Sequence, residues 1–288
     1  MLDAKIETFL RVAELNSFTA AAETLHLTQP AVSQHIHKLE THYGCKLIDS
    51  THKAMHLTNE GNLLYEYLSL QRANERCFSQ LLHNTIEPLR IGATLSIADY
   101  YLPEILINQM LSSGERIRVT VGNTAHLLEA LRTGKLDCAF IEGLFHSALF
   151  ESHVFCQARF LPVASVKHPL AGKTISLEEL QQYPIILREP NSGTREVFEN
   201  WLHLQNAEAK SFAQVTELGS FVLIKKLIQH SSAVTFVYEA VVKTELEHGK
   251  LCALALKDFD LTHALCYVYR KGDIRRPVLE KIFEQTLK

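Results

Sequence analysis

The sequence lacks the long apolar segments that membrane-spanning and exported proteins carry. Its 288 residues contain no apolar run of about eighteen residues, the length at which a helix begins to span a bilayer. The opening stretch MLDAKIE places acidic side chains where a signal peptide has an apolar core. We therefore expect a cytoplasmic protein that has no membrane partner.

Closely spaced cysteine pairs are also missing. No C-x-x-C motif occurs, and without an export signal scattered cysteines are expected to be reduced and buried. The six cysteines are Cys45, Cys77, Cys138, Cys156, Cys252 and Cys266. This spacing does not predict a disulfide framework.

Catalytic and metal-binding motifs are absent as well. The sequence has no H-E-x-x-H, no G-x-S-x-G and no glycine fingerprint for a dinucleotide. The segment AGKTIS ends like a phosphate-binding loop, but Lys167 stands where the leading glycine is required. Among fifteen histidines, His35 and His37 face different sides of one predicted helix, and His52 and His56 lack cysteine partners. We expect no enzymatic activity, no metal and no cofactor.

Positive charge is scarce for a protein that binds nucleic acid. The net charge is −3, and residues 1–61 carry five lysines and arginines against seven aspartates and glutamates, with six histidines beside them. Composition alone would class this segment as a poor DNA binder, because phosphate contacts need local positive charge. One alternative is therefore a regulator that has lost DNA affinity and acts through protein contacts.

The apolar residues of the same segment nevertheless predict three short helices. The first begins near residue 2, the second begins at Phe18 after a break at residues 16–17, and the third follows Thr28. Thr28 is a good N-cap, and Pro30 lies in the first turn, where its missing N–H group does no harm. The predicted inward stripe of the third helix consists of Val32, Ile36, Leu39 and Tyr43. Two helices joined by a tight turn make a helix-turn-helix.

The outward face of the third helix is polar and almost uncharged. Small polar side chains can hydrogen-bond base edges and phosphates, so we predict that this face enters the major groove of double-stranded DNA. The predicted DNA-binding residues are Thr28, Gln29, Pro30, Ser33, Gln34, His37 and Lys38, together with Lys53 in the segment that follows. The alternative is a plain three-helix packing unit, which would normally show long charged residues on this face.

After the third helix, LIDSTHKAMHLTNEG predicts two short strands around a turn, a wing. With it, residues 1–61 resemble the winged helix-turn-helix of LysR-type transcriptional regulators through the motifs FLRVAELNSFTAAAETLHLTQPAVSQHIHKLE, YGCKLID and LTNEG. The family usually has phenylalanine at the position of Ile48 and arginines at the positions of Ser50, Lys53 and His56. Each missing cation removes a phosphate contact, which histidine can partly replace because it gains charge beside a phosphate.

A long helix is predicted over residues 58–84. Its seam residues alternate four and three positions apart, which is the repeat of a coiled coil. The predicted dimerisation seam consists of Leu63, Tyr67, Leu70, Asn74, Cys77 and Leu81. A second copy of the chain is the expected partner, as the resemblance also implies, and the dimer would place two recognition helices on a pseudo-palindromic DNA site. The alternative is a helix that lies on the rest of its own chain.

From residue 88 onward, strand-like and helical segments alternate, which predicts a parallel sheet covered by helices. The resemblance implies a two-lobed α/β effector domain similar to type 2 periplasmic binding proteins, with chain crossings near Phe160 and Thr262. The predicted fold is therefore α/β, with an N-terminal winged helix-turn-helix and a long linker helix. The predicted domains are residues 1–58 (winged helix-turn-helix), 59–87 (dimerising linker helix), 88–160 with 265–288 (effector subdomain I) and 161–264 (effector subdomain II).

In such a fold a ligand binds at the strand ends, where helix N-termini converge. Hydroxyls and unbonded N–H groups at helix starts favour a small anion. The segment REPNSGTR resembles that of family members whose effectors are small oxyanions or carboxylates, and this resemblance implies sulfite or sulfate as the first guess. The predicted effector-binding residues are Thr94, Leu95, Ser96, Asn123, Thr124, Ser192, Gly193 and Thr194. The alternative at each helix start is simple N-capping. Arg195 could assist the binding or could face solvent.

These features together predict a sequence-specific DNA-binding transcriptional regulator controlled by a small effector. The resemblance implies a homotetramer built from dimers, in which the effector changes the angle between the lobes, the bending of DNA and the access of RNA polymerase. A coupling of about 1–3 kcal/mol between effector and assembly state is typical of such allostery. A remaining alternative is a solute-binding or enzymatic protein with an accessory helical domain.

Overall fold

The computed structural model describes residues 3–49, 55–83, 88–113, 116–143 and 149–286. The chain divides into two compact units, the first built around the N-terminal residues and the second around most of the remainder. The first unit comprises Met1–Glu87, Glu129–Lys135 and Arg270–Pro277, and the second comprises Pro88–Leu128, Leu136–Tyr269 and Val278–Lys288. Among the described helices, none is both long and apolar enough to cross a membrane.

The first unit begins with a helical bundle and a short hairpin. Its elements are α1 (Ala4–Leu15), α2 (Phe18–Leu25), α3 (Gln29–Tyr43), β1 (Ile48–Asp49), β2 (His56–Leu57) and α4 (Asn59–Leu82). Ser17 caps α2 by accepting a hydrogen bond from Ala20 N, and Thr28 caps α3 by accepting one from Ala31 N. These side chains satisfy N–H groups that a helix start would otherwise leave unpaired. The predicted helix-turn-helix is confirmed.

A small apolar core holds the three helices together. Phe9 and Leu10 of α1 are fully buried, and burial of side chains of this size stabilises a fold by about 1.5–3 kcal/mol each. Further buried members of this core are Val12, Ala21, Ala22, Val32, Ile36, Leu39, Leu47, Tyr65 and Leu68. The prediction for Tyr43 is wrong, because its side chain is 45% exposed. Tyr43 is the last residue of α3, where Gly44 turns the chain into the left-handed region and away from the core.

Strands β1 and β2 pair antiparallel, with Ile48 opposite Leu57, so the two strands of the predicted wing are present. The wing rests on the start of α4. Gly61 lies so close to the carbonyl oxygen of Leu47 that a side chain could not fit between them. Residues 50–54, which include Ser50, Lys53 and the rest of the wing turn, lie outside the described residues.

Two short segments that the sequence assigned to effector subdomain I belong to the first unit instead. Within this unit Asn74 of α4 donates a hydrogen bond to the carbonyl oxygen of Gly272 at 2.9 Å and accepts one from Ile274 N at 3.1 Å. The guanidinium of Arg132 lies over the ring of Tyr65, 4.5 Å from its centroid. These contacts join residues far apart in sequence, which no local pattern can predict.

The second unit alternates strands and helices. Its elements are β3 (Leu89–Ala93), α5 (Leu95–Tyr100), α6 (Leu102–Ser113), β4 (Ile117–Val121), α7 (Thr124–Arg132), β5 (Cys138–Glu142), β6 (Phe150–Ser165), β7 (Thr174–Ile175), α8 (Leu177–Gln181), β8 (Pro184–Leu187), α9 (Gly193–Leu204), β9 (Gln214–Glu217), α10 (Phe221–Gln229), β10 (Thr235–Tyr238), α11 (Glu239–Glu247), β11 (Leu251–Ala253), β12 (Ala255–Leu256), β13 (Leu261–Arg270) and α12 (Arg276–Thr286). The last four residues of α7, the final residue of β13 and the start of α12 are shared with the first unit.

The main sheet has the strand order β10-β6-β13-β5-β3-β4, with β11 also paired to β6. Strand β3 is parallel to both β4 and β5, whereas β13 is antiparallel to β5 and β10 is antiparallel to β6. The sheet is therefore mixed and not wholly parallel as the alternation predicted. The antiparallel pairs of this sheet all involve β6 or β13, the two strands that cross between the lobes. Strand β6 is antiparallel to β10 and β11, and β13 is antiparallel to β5.

Strand β5 lies at the centre of the first lobe, and all of its residues are buried. A strand that is covered on both faces has a continuous apolar sequence, which explains its CAFI run. The second lobe is built around a parallel pair, β8 and β9, and an aromatic cluster in which Phe198 stacks on Phe236 at 4.3 Å. The last residue of strand β5 is Glu142, a buried carboxylate at the end of an apolar strand.

Candidate functional site

The outward face of α3 carries most of the predicted DNA-binding residues. Thr28, Gln29, Pro30, Gln34, His37 and Lys38 are exposed, and Ser33 is half-buried. Gln29 Nε2 donates to Ser33 Oγ at 3.2 Å, which holds two of the polar groups together at the start of the helix. From residue 29 to residue 39 the helix has no carboxylate, so nothing on this face repels a phosphate.

The acidic side chains of the first unit are largely engaged elsewhere. Glu40 accepts hydrogen bonds from Lys46 Nζ at 2.7 Å and from Leu47 N at 3.1 Å. Burial raises the pKa of Glu40, but these hydrogen bonds and the charge of Lys46 outweigh it and hold the pKa below its usual value. Glu14 pairs with Arg72 of α4 and with Arg11. Ion pairs thus engage part of the acidic excess of residues 1–61, and one of them uses Arg72, which lies outside that range.

Helix α3 contains three histidines, of which His35 and His37 have different roles. His35 Nδ1 lies 2.8 Å from the hydroxyl of Thr8, so its ring joins α3 to α1. His37 is exposed on the outward face beside Lys38. Of these two histidines, His37 is therefore the one placed where it could gain charge against a phosphate.

The linker helix α4 exposes an apolar stripe that only partly matches the predicted seam. Leu63 is 70% exposed and Tyr67 is 58% exposed, and Phe78 and Leu82 are exposed on the same side. Two predicted seam residues point elsewhere: Cys77 is buried, and the amide of Asn74 binds Gly272 and Ile274 as described above. Leu70 is half-buried, and the side chain of Leu81 lies outside the described residues.

A cavity of about 250 Å³ lies between the two lobes of the second unit. Predicted effector-binding residues that line it are Thr94, Leu95, Ser96, Asn123, Ser192 and Gly193. Further lining residues, which the sequence did not single out, include Glu142, Arg188, Glu189 and Asn191. The lining thus comes from the C-terminal ends of β3, β4, β5 and β8 and from the start of α9.

The hydroxyl groups at the starts of α5 and α9 do not act as caps. Thr94 and Ser192 precede α5 and α9, and neither side chain makes a capping hydrogen bond. Thr94 Oγ1 instead donates to Glu142 Oε1 at 3.2 Å. Ser96 Oγ of the first lobe and Thr194 Oγ1 of the second lie 2.8 Å apart and share a buried hydrogen bond. Thr194 therefore contacts the site through Ser96 and does not line the cavity.

The third predicted helix start behaves as the capping alternative describes. Asn123 Oδ1 accepts a hydrogen bond from His126 N at 2.8 Å, which satisfies the first turn of α7. Thr124 is half-buried and does not line the cavity. Arg195 pairs with Glu199 at 2.8 Å and also with Glu217, so its guanidinium is engaged outside the cavity.

The charged residues of the cavity are the main feature that sequence reasoning missed. Arg188 is buried, lies over the ring of Phe221, and donates from Nε and Nη2 to the two oxygens of Glu189 at 2.7 Å. Glu142 is 7% exposed, and its Oε2 has no hydrogen-bond partner among the described residues. A glutamate that ends an otherwise apolar strand was the available sequence signal.

Burial raises the pKa of Glu142, although the hydroxyls of Ser96 and Thr94 and the charge of Arg188 act in the opposite direction. The cavity can therefore bind a small polar molecule through hydroxyls, helix N–H groups and ionisable side chains. Within the described ranges, no group of three or more histidine, cysteine or acidic residues is arranged to hold a metal ion.

Two family models match the chain. Residues 4–62 match "Bacterial regulatory helix-turn-helix protein, lysR family", and residues 84–288 match "LysR substrate binding domain". The chain is 30% identical over 275 residues to the HTH-type transcriptional regulator CysL of Bacillus subtilis, covering 92% of this chain and 89% of that protein.

Solved structures with a similar fold include ArgP from Mycobacterium tuberculosis, with a TM-score of 0.74 and 19% identity over 100% of this chain and 97% of that one. Full-length LysG from Corynebacterium glutamicum, solved with bound effector Arg, has a TM-score of 0.72 and 18% identity, covering 100% of this chain and 98% of that one.

Proposed function

The chain belongs to the LysR family of bacterial transcriptional regulators, and from this premise we propose how its units bind DNA and sense an effector. It is a DNA-binding regulator with an effector-binding domain, and the family does not consist of enzymes. We place its action in the cytoplasm, with promoter DNA, RNA polymerase and a second copy of the chain as partners.

The reading surface is the outward face of α3. Gln29, Ser33 and Gln34 supply hydrogen-bonding groups for base edges, and Lys38 and His37 supply charge for phosphates. The absence of carboxylates on this face carries the proposal, because it removes the main objection raised by the acidic composition. With few fixed cations, we expect the affinity to depend weakly on salt at high pH and more strongly once histidine is charged.

The effector site is the cavity between the lobes, and we propose a small anion as its ligand. The first helical hydrogen bond of α9 runs from Glu196 N to Ser192 O, so the preceding N–H groups have no helical partner. These groups and the helix dipole favour negative charge. Arg188 lines the same cavity, and its two hydrogen bonds to Glu189 leave Nη1 for another partner.

Dimerisation through α4 is supported by the exposed stripe of Leu63, Tyr67, Phe78 and Leu82. Four large apolar side chains on one helix face are costly to leave in water, and a second copy of the same stripe would cover them. The second unit exposes another apolar set, Val222, Leu223 and Leu227 of α10, which we assign to the contact that joins dimers into a tetramer.

The effector controls DNA binding through the contact between the lobes. The hydrogen bond between Ser96 and Thr194 joins the two sides of the cavity, so a ligand that enters there changes how the lobes meet. To regulate, it must bind two assembly states with different affinity, by about 1–3 kcal/mol in typical cases. The resulting change in the spacing of DNA-binding units alters the access of RNA polymerase.

The first experiment measures DNA binding by fluorescence anisotropy. DNA from upstream of the chain's own gene is compared with scrambled DNA across a salt series at pH 6 and pH 8. We expect selective binding, with a salt dependence that steepens at pH 6. Equal binding to both DNAs at every salt concentration and pH would contradict the proposed reading surface.

A second experiment separates the effector site from the DNA surface. Ser96→Ala combined with Thr194→Ala removes the hydrogen bond across the cavity, so any response of DNA binding to added sulfate or phosphate should disappear while basal DNA binding stays. Thr124→Ala is the matched control, because Thr124 begins a helix near the site but does not line the cavity. A double variant that responds like wild type would show that the cavity is not the effector site.

A further inference from the structure

Glu142 is a buried carboxylate that lines the cavity, and its Oε2, which is shielded from solvent, has no hydrogen-bond partner among the described residues. We propose that Glu142 is an effector-binding residue that acts as a neutral carboxylic acid and donates the proton on Oε2 to an oxygen of the bound anion. This proposal rests on the anion site proposed above and names one of its ligands. It also makes effector binding depend on one proton.

The position of Oε2 places it at the predicted anion site. A Cβ atom built on Gly193, the first residue of α9, would collide with Glu142 Oε2 and lie 2.9 Å from Cδ. The carboxyl group therefore rests against the start of α9, where the unpaired N–H groups attract an anion. An anion bound by those groups would contact Oε2 directly.

An ionised Glu142 would oppose that anion. Two like charges in contact repel strongly inside a protein, because little water is present to screen them. A proton on Oε2 removes the repulsion and also provides a hydrogen-bond donor. The other oxygen, Oε1, already accepts from Thr94, so Oε2 is the atom that remains for the proton.

Burial of the carboxyl group favours this neutral form, although Ser96, Thr94 and Arg188 act in the opposite direction. Groups that face it from the surrounding elements are Thr94, Ser96, Tyr101, Arg188, Glu189, Glu196 and Tyr238, whose hydroxyl lies 2.8 Å from His263 Nδ1. Arg188 is the cation among them, and its charge is largely balanced by the bidentate pair with Glu189. Burial raises the pKa of Glu142, and the nearby charge of Glu196 acts in the same direction.

The proposal defines the ligand class by its hydrogen-bonding pattern. The ligand presents at least one unprotonated oxygen to Oε2 and negative charge to the start of α9, as sulfate does. The proton remains on Oε2 and no covalent bond changes. A ligand that offered an ammonium group to Oε2 would require the ionised carboxylate instead, and its binding would respond to pH in the opposite way.

The test compares sulfate binding by the full-length wild-type protein, Glu142→Gln and Glu196→Gln between pH 5.5 and pH 8.5, using calorimetry. We expect the wild-type affinity to fall towards tenfold per pH unit once the pH exceeds the pKa of Glu142 in the free protein. Glu142→Gln keeps the shape and an N–H donor, so it should bind sulfate at all pH values with little pH dependence. Glu196→Gln removes an exposed charge that raises the pKa of Glu142, so its affinity should begin to fall at a lower pH but with the wild-type slope.

A second readout follows the carboxyl group itself. In protein labelled with ¹³C at glutamate carboxyls, the signal missing from Glu142→Gln identifies Glu142, and sulfate should raise its pKa. Sulfate binding that is lost in Glu142→Gln, or binding of L-arginine that requires ionised Glu142, would overturn the proposal.

The outcomes also separate this proposal from the anion site on which it rests. Wild-type sulfate binding that is independent of pH and unaffected in Glu142→Gln overturns the role of Glu142 and leaves the anion site in place. If neither sulfate nor phosphate binds wild type or Glu142→Gln at pH 5.5, the anion site is overturned together with it.

Discussion

Replacement of Gly193 by alanine tests how rigidly the contact between the start of α9 and Glu142 is built. The added methyl group would meet Cδ of Glu142 at 2.9 Å and Cβ at 3.3 Å, besides colliding with Oε2. Overpacking of a buried site costs about 1–3 kcal/mol, and the contact with three atoms of one side chain favours the upper half of that range. Alanine is also about 1 kcal/mol better than glycine within a helix, which offsets part of the cost.

We therefore expect a net loss of about 1–2 kcal/mol in the free energy of unfolding of the second unit. For a unit of this size, that corresponds to a fall in Tm of about 2–8 °C, measured by calorimetry. Gly219→Ala is the control, because its nearest neighbour would be Glu189 Oε2 at an ordinary 3.6 Å. That variant should stay within about 0.5 kcal/mol of wild type.

A double-mutant cycle identifies the cause of the loss. If the methyl group acts through the carboxyl group of Glu142, Gly193→Ala should no longer destabilise in a Glu142→Ala background, where only the helix gain of about 1 kcal/mol remains, so the coupling energy is about 2–3 kcal/mol. A Gly193→Ala protein as stable as wild type would refute this reasoning. It would mean that the Glu142 side chain moves aside, and that the start of α9 and this carboxyl group are not in fixed contact.

Three further outcomes are expected. Leu63→Glu with Tyr67→Ser should shift the protein towards monomer in sedimentation equilibrium, and an unchanged mass would show that the stripe on α4 is not the dimer contact. Lys38→Ala should reduce the slope of log affinity against log salt by about 1, whereas Gln34→Ala should lower selectivity between DNA sequences by about 1–3 kcal/mol, both measured by anisotropy. Burial lowers the pKa of His168, although the hydrogen bond with the carbonyl of Ser232 acts in the opposite direction. The contribution of neutral His168 to the free energy of unfolding is therefore present above its usual pKa of about 6.5 and is lost as the pH falls through the lower pKa of the folded protein. Urea unfolding should show this loss in wild type and a smaller one in His168→Gln, and equal losses would assign the effect to other groups.

Local patterns were sufficient to predict the helix-turn-helix. Ser17 and Thr28 cap their helices through bonds to residues three positions away, so the relevant interaction is contained in the sequence window. Tyr43 was predicted to be buried because the helical spacing of apolar residues continues to the last turn of α3. Gly44 ends the helix directly after Tyr43, and the tyrosine side chain is exposed.

The face of α4 could be predicted only in part. A repeat of four and three residues identifies an apolar stripe but not which of its neighbours comes from the same chain. Asn74 was assigned to the seam because a polar residue among apolar ones is typical of coiled coils. Its actual partners, Gly272 and Ile274, are 198 and 200 residues away in sequence.

The residues that line the cavity were identified from the sequence where hydroxyls mark a helix start and were missed where charge is involved. Thr94 and Ser192 immediately precede α5 and α9, and Ser96 lies in the first turn of α5. The starts of these helices can be located from the sequence. Glu142 and Arg188 follow apolar strands, and a charged residue at a strand end is usually read as the place where the strand meets solvent. Contacts distant in sequence bury these two side chains, because Glu142 lies against Gly193 and Arg188 lies over Phe221.

The two lobes are joined by strands and not by loops, which has a mechanical consequence. Strand β6 runs unbroken over sixteen residues, and β13, which lies beside it in the sheet, runs over ten. A hydrogen-bonded pair of strands resists folding at a point but yields to twist, because twist is distributed along the ladder without breaking its bonds. The connection is therefore expected to twist along its length and not to bend at a single hinge. An effector that draws the lobes together would rotate one against the other through a small angle. The two strands would untwist to their original geometry when the ligand leaves.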